Sequence, residues 1–405
     1  MSRYTVTLIT QIFPPESNAG ANRAAATAAR LSQIADLRVV TLLPSYPSPE
    51  YHQKRGTLEG HDQKLPYVVE RAGNFHPHRG HFVIRALRES LMAIRIAWRA
   101  GRSRSDVLVA TCPSIFVGLA AAIVSRVKRA PLVIDLRDVT WDYVSNEARQ
   151  RNSKTLKILA RILRSSARFV LRRANLVSVT NEGIKDSVAA LGIDPERIIN
   201  VPNGVSTELL NKGLALREPE RSPDRYVVTY AGALGYYQSI GILIDVATLM
   251  PEVEFRIVGD GPQRETLETR VRQEQLSNVL LTGYVDRETL YGHYEESHIL
   301  FAQLRDLPVL AATTLPSKTF EFMATGRAIV YAGTGITANF LSKTGSTLIV
   351  EPENAESIVA AINSLIVNAP LRLSLGASGR EAAPRYRRES IMEDLATVVL
   401  GVAAG

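Results

Sequence analysis

The chain has 405 residues, of which 45% are apolar and 22% charged. This composition excludes disordered and fibrous classes, and the length exceeds one ordinary core and suits two α/β domains. A single cysteine, Cys112, leaves no internal disulfide and predicts a reducing, cytoplasmic compartment. Charge is unevenly divided: residues 1–205 hold 30 Lys+Arg against 16 Asp+Glu, a net of +14, whereas residues 206–405 hold 18 against 24, a net of −6.

The apolar run at the N-terminus is too short for a signal peptide. In chain order, Val6–Ile9, Leu37–Leu43, Asp106–Ala110, Leu132–Asp135 and Leu176–Thr180 read as strands with helical stretches between most of them. Val107–Val124 is nearly free of charge and at the threshold length of a membrane span. Pro113 and Ser114 divide it, so a buried strand-and-helix unit is expected instead. The second half repeats the plan at Tyr226–Ala231, Glu254–Val258, Val279–Thr282, Ile299–Ala302 and Ala328–Tyr331. Two alternating series predict an α/β fold of two Rossmann-like domains with parallel sheets. The expected division is 1–205 and 206–385, near the turn-rich Val201–Ser206 segment, followed by a polar surface loop at 216–225.

Four loops carry candidate chemistry. Phe13-Pro-Pro-Glu-Ser-Asn-Ala-Gly20 follows the first strand and precedes an Ala-rich helix, so Gly20 would let backbone amides approach a phosphate or sugar; a tight turn explains it equally well. Tyr230-Ala-Gly-Ala-Leu-Gly-Tyr-Tyr-Gln238 offers Gly232 and Gly235 to a pyrophosphate in the second domain. Val258-Gly-Asp-Gly-Pro262 reads by itself only as a turn. In Pro316-Ser-Lys-Thr-Phe-Glu321, Ser317 and Lys318 open a helix. A cation there opposes the helix dipole unless a diphosphate is bound, and Glu321 on the same face could accept both hydroxyls of a ribose. A surface Lys–Glu pair is the plain alternative. Ligands at the strand ends of two such domains would sit in a cleft between them.

Together these residues resemble glycosyltransferase family 4, and within it the bacterial surface-polysaccharide branch that transfers sugars of the N-acetylfucosamine type. The likeness runs through Phe13–Glu16 with Gly20 and Arg23, Asn203-Gly-Val205, Tyr230-Ala-Gly with Gly235, Val258–Pro262, Gly283-Tyr-Val285, and Pro316–Lys318 with Glu321 and Gly326. The resemblance implies a GT-B fold, a nucleotide-sugar donor (UDP foremost) and retention of anomeric configuration. It places the base near Tyr284, the ribose on Glu321, the diphosphate among Gly232, Gly235, Ser317 and Lys318, and Gly20 and Arg23 on the donor from the first domain. It also implies a helix near 386–405 that returns to the first domain. Two positions depart from the family pattern: Thr313 stands where the first of two glutamates is usual, and Gln238 where a lysine is usual. Lys318, Arg305 or an Arg of the first domain would then supply the charge.

The resemblance also implies front-face attack, with the leaving phosphate helping to take the acceptor proton, which would need no separate nucleophile. Asp138, following a strand, is a candidate polar or basic group, or else a helix cap. The seven histidines and the Asp135/Asp138 pair lack metal-ligand spacing, so neither a catalytic metal nor another cofactor is expected. Lys154, Lys157, Arg161, Arg164, Arg168 and Arg172, interleaved with Leu156, Leu159, Leu163 and Val170, form a basic amphipathic pattern, and His81–Arg104 forms a second. Both suit an anionic inner-membrane surface carrying a lipid-linked or glycan acceptor, although two solvated helix faces would look the same. The rival readings are another GT-B enzyme such as a nucleotide-sugar epimerase or a phosphorylase, a non-catalytic sugar-nucleotide-binding protein, and a nucleic-acid binder. The last lacks any reading motif.

Overall fold

The computed structural model describes residues 3–16, 18–45, 57–73, 82–112, 114–217, 219 and 225–404. The chain divides into two compact units, Met1–Pro202 with Arg388–Gly405, and Asn203–Arg387. Val205 belongs to the second because its N–H donates to Tyr386 O at 3.0 Å and it pairs in parallel with Arg387.

The first unit holds a parallel sheet of seven strands among the described residues: β1 (Thr5–Thr10), β2 (Asp36–Thr41), β3 (Val68–Arg71), β4 (Val107–Cys112), β5 (Leu132–Leu136), β6 (Leu176–Val179) and β7 (Ile198–Asn200). Their order is β3-β2-β1-β4-β5-β6-β7. Helices cover both faces, so the central strands are buried throughout and read as continuous apolar runs. The edge strands β3 and β7 are short, partly exposed and mixed in polarity, which hides them from apolar pattern. The charge-poor segment Val107–Val124 divides into β4 and the helix Ile115–Lys128, whose N-cap Ser114 accepts from Phe116 N–H. Among the described residues no single helix is long and apolar enough to cross a membrane.

The helix Arg388–Ala404 packs on the helix Ala19–Ile34. Met392, Leu395, Ala396 and Val399 enter the same apolar cluster as Val6, Leu8, Ala24 and Ala28, and Thr27 Oγ1 donates to Met392 Sδ.

The second unit holds a parallel sheet of six strands among the described residues: β8 (Tyr226–Ala231), β9 (Val253–Val258), β10 (Val279–Gly283), β11 (Ile299–Gln303), β12 (Ala328–Ala332) and β13 (Thr347–Val350), in the order β10-β9-β8-β11-β12-β13. Both sheets therefore reverse strand direction of travel beside their first strand, between β1 and β4 and between β8 and β11. In open α/β sheets ligands collect at the carboxyl ends of strands at such a switch.

Candidate donor site

The second unit builds its site from glycines. Three loops, following β8, β9 and β10, are tied together: Gly232 N–H donates to Val258 O, Leu234 N–H to Asp260 O, and Gly259 N–H to Gly283 O, at 2.9, 3.0 and 3.0 Å. Gly259 has φ +142°, and a Cβ on it would lie 1.9 Å from Gly232 O; a Cβ on Gly261 would lie 2.6 Å from Leu234 O. Only glycine permits this approach. The Val258–Pro262 segment, a mere turn in sequence, is the mould that shapes the phosphate-type loop. This corrects one expectation: the Gly232 amide is committed to Val258 and does not face a pyrophosphate. The amides of Ala233, Gly235 and Tyr236 donate to no acceptor among the described residues. Gln238 folds back over this loop, with its Oε1 2.6 Å from the place a Cβ on Gly235 would take.

Gly232 serves a second contact. A Cβ there would lie 2.6 Å from Lys318 Nζ, so the ammonium rests against the glycine loop. Lys318 opens the helix Lys318–Thr325, whose N-cap Ser317 makes no side-chain cap. Lys318 as a residue is half-buried, but its Nζ is buried, makes no hydrogen bond, and stands 3.9 Å above the centre of the Tyr230 ring. Burial pushes its pKa down to about 7, with Glu321 pulling the other way. Ser317 and Lys318 amides, in the first turn, also have no acceptor among the described residues. Buried Tyr230, which in sequence only opens the loop, completes the cradle. Alternation alone makes it look like an ordinary core strand residue.

Glu321 is half-buried on the same helix, and its charge helps raise the hydroxyl pKa of Tyr291 and Tyr294, in both of which burial is the main cause. Tyr284 follows Gly283, which has φ +73° and is covered by the Arg264 guanidinium. Thr313 is buried and donates to Val309 O at 2.7 Å within its own helix. The chain thus carries a hydroxyl, not a carboxylate, at that position.

In the first unit Gly20 lies in the first turn of its helix, where Asn18 caps by accepting from Ala21 N–H at 2.9 Å. Arg23 corrects a second expectation. It is 2% exposed, its Nε and Nη2 donate to the two oxygens of Asp135 at 3.0 and 2.7 Å, and its Nη1 donates to Pro202 O. A guanidinium so enclosed and satisfied holds the fold together and does not reach a donor. Burial alone would raise the Asp135 pKa, but Arg23, Arg137 and the Ser178 hydroxyl hold it below the usual carboxylate range.

Asp138 does not cap the following helix, whose N-cap is Val139 without a side-chain bond. Asp138 is exposed as a residue, yet protein crowds its carboxylate; that crowding raises its pKa and Arg137 opposes the rise. The cavity beside it, of about 10 Å³, has room for one water and no more. The histidines at 76, 78 and 81, Ser17, Pro113 and most of the polar loop at 216–225 lie outside the described residues.

A larger groove of about 810 Å³ sits at the opposite, amino-terminal edge of the second sheet, beside His298 and Ala328. Three of its four arginines are structural: Arg327 donates to Tyr294 O and Glu295 O, Arg372 to Leu365 O, and Arg380 to Leu216 O.

Comparison with known proteins matches each unit to a family. Residues 19–204 match the "Glycosyl transferase 4-like domain" and residues 214–382 match "Glycosyl transferases group 1". A sulfoquinovosyl transferase of Arabidopsis thaliana is 23% identical over 72% of this chain and 56% of its own length. The O-antigen chain mannosyltransferase C of Escherichia coli is 28% identical over 37% of this chain and 40% of its own. The chain thus spans about half the length of these curated relatives. Among solved structures, Anabaena HepE in complex with UDP and glucose has a TM-score of 0.69 at 17% identity, covering 98% of this chain and 99% of that one. With a glycosyltransferase domain matched to each of its two parallel-sheet units, the chain is by family and fold a GT-B glycosyltransferase.

Proposed function

We propose that this protein moves a sugar from a nucleotide donor, UDP foremost, to a lipid-linked or glycan acceptor in polysaccharide or O-antigen synthesis, with retention of configuration. The observation that carries the reading is the Lys318 ammonium, buried without a hydrogen-bond partner between Tyr230 and Gly232 at the switch point of the second sheet. An unsatisfied cation is costly, and a diphosphate would satisfy it. As the bond from sugar to phosphate breaks, negative charge grows on the diphosphate. Lys318 and the acceptorless amides at 233, 235, 236, 317 and 318 are placed to stabilise that charge. Glu321 would hold the ribose, and the leaving phosphate would take the acceptor proton, so no separate base is required. The solved relative containing UDP and glucose, and curated relatives named for sulfoquinovosyl and O-antigen mannosyl transfer, favour this substrate class.

The test is a calorimetric screen of UDP, GDP and their sugars against the wild type and Glu321→Ala. A nucleotide should bind the wild type and bind Glu321→Ala at least tenfold more weakly. Equal binding to both proteins removes Glu321 from the site.

A membrane-facing surface is the second part of the proposal. On the helix Lys154–Arg173 the leucines at 156, 159 and 163 and Val170 turn inward, but Ile158, Ile162 and Phe169 remain more than half exposed among Lys154, Arg161, Arg168 and Arg172. This helix packs beside Ile115–Lys128, which exposes Ile123 and Val127, and that one beside Phe82–Gly101, which exposes Leu91, Ile94 and Trp98. Neither of the first two helices has an acidic residue. Side chains at 82–87 are outside the described residues. Apolar groups among cations fit an anionic lipid surface at the inner face of the cell membrane. The protein should sediment with vesicles containing phosphatidylglycerol but not with neutral phosphatidylcholine vesicles. The double variant Ile158→Asp, Phe169→Asp should bind them several-fold more weakly. Unchanged sedimentation would discard this surface.

A further inference from the structure

Two loops meet across the switch point of the second sheet. The loop after β8 presents Tyr236 and Tyr237, 56% and 39% exposed, with ring centroids 5.7 Å apart at 71°. The loop after β11 presents Arg305, whose guanidinium lies 4.3 Å from the centre of the Tyr236 ring. Arg305 is held in place from two sides: its N–H donates to Tyr237 O at 2.9 Å and its Nε to Glu353 Oε1 at 3.2 Å. Glu353 also accepts from Ser239 Oγ at 3.0 Å. Ser239 and Glu353 have φ of +47° and +57°, a left-handed conformation unfavourable for residues other than glycine. Strain of this kind persists where surrounding structure enforces it, and it gathers at functional sites. The remaining Arg305 nitrogens donate to no acceptor among the described residues.

From this geometry we infer that Tyr236 and Arg305 form a docking platform for a pyranose ring, which sets the sugar specificity of the donor site proposed above and rests on that proposal. An aromatic ring accepts the C–H face of a pyranose. The bound guanidinium donates to ring hydroxyls, and the Glu353 carboxylate can accept from them. Tyr236 stands four residues beyond Gly232, on the loop that faces the proposed diphosphate, so the donor's own sugar is the nearest source of such a ring. The acceptor's saccharide offers the same chemistry.

The experiment measures Kd for UDP, UDP-glucose, UDP-galactose, UDP-N-acetylglucosamine, GDP and GDP-mannose by calorimetry with wild type, Tyr236→Ala and Tyr236→Phe. In a second arm, saturation-transfer NMR follows methyl glucoside, methyl galactoside and methyl mannoside with each protein. If the donor supplies the ring, the affinity gained from the attached sugar, read for each protein as the ratio of the Kd of the bare nucleotide to that of its sugar nucleotide, falls about fivefold in Tyr236→Ala and is kept in Tyr236→Phe. If the acceptor supplies it, the loss appears in the NMR arm instead. Nucleotide binding without any effect of Tyr236→Ala in either arm overturns the platform and leaves the donor site standing. Failure of every nucleotide to bind the wild type overturns both.

Discussion

Lys318→Met is expected to make the unliganded protein more stable at pH 7 while lowering sugar transfer by about 100-fold or more. The two effects have one cause. In the folded chain the ammonium is stripped of water, and burial lowers its pKa to about 7 against an ordinary 10.5. Between those values the unfolded chain holds the proton more firmly than the folded one. Folding stability contributed by this group therefore rises with pH across about 7 to 10.5, and is lowest below 7. Methionine fills similar space over Tyr230 without a charge, so the variant should lose that slope.

A bound diphosphate reverses the balance, because it favours the charged lysine and raises its pKa. Nucleotide binding at pH 8 should therefore take up a substantial fraction of a proton, which calorimetry in buffers of different ionisation enthalpy measures directly. Uptake by Lys318 should vanish near pH 5.5, where the lysine is already protonated, and should be absent in Lys318→Met at pH 8. Binding without proton uptake at pH 8 would mean that the diphosphate lies elsewhere.

Both the outline of the fold and the place of this lysine were legible in the sequence, for different physical reasons. Central strands such as Leu132–Leu136 and Ile299–Gln303 are buried on both faces and must be apolar throughout. The edge strand Val68–Arg71 is partly exposed and half charged and carries no such mark, whereas Thr347–Val350 is apolar after its first residue but only four residues long and partly exposed. Lys318 stood out because a cation at a helix start breaks a local rule, and broken rules cluster at working sites. What no sequence pattern shows is which polar groups satisfy one another. Arg23 and Asp135 are 112 positions apart and pair only because β5 and the helix Ala19–Ile34 meet in space. Likewise the Gly232 amide looks available until Val258, from the neighbouring strand, accepts it.

That hidden pair carries the other large effect. Arg23→Met should destabilise the first unit by about 3–5 kcal/mol at pH 7, the range found when one partner of a buried ion pair is removed. Asp135 is 1% exposed, and without Arg23 its carboxylate keeps only the Ser178 hydroxyl and the field of Arg137. Arg137, whose own pKa is lowered to about 10 by burial first and the nearby Arg23 charge next, stays charged at pH 7 but acts on Asp135 only through its field. In the wild type the lowered Asp135 pKa contributes stability that is present above the ordinary carboxylate range and lost as pH falls through the folded value. In Arg23→Met burial dominates and the Asp135 pKa rises above its unfolded value. The penalty should then shrink on acidification, because a protonated Asp135 no longer needs a counter-charge. Urea unfolding at pH 7 and pH 5 separates the cases: a deficit that narrows at pH 5 supports the buried pair. A deficit under 1 kcal/mol at pH 7 would show that Arg23 is not enclosed, and would return it to the list of residues able to reach a donor.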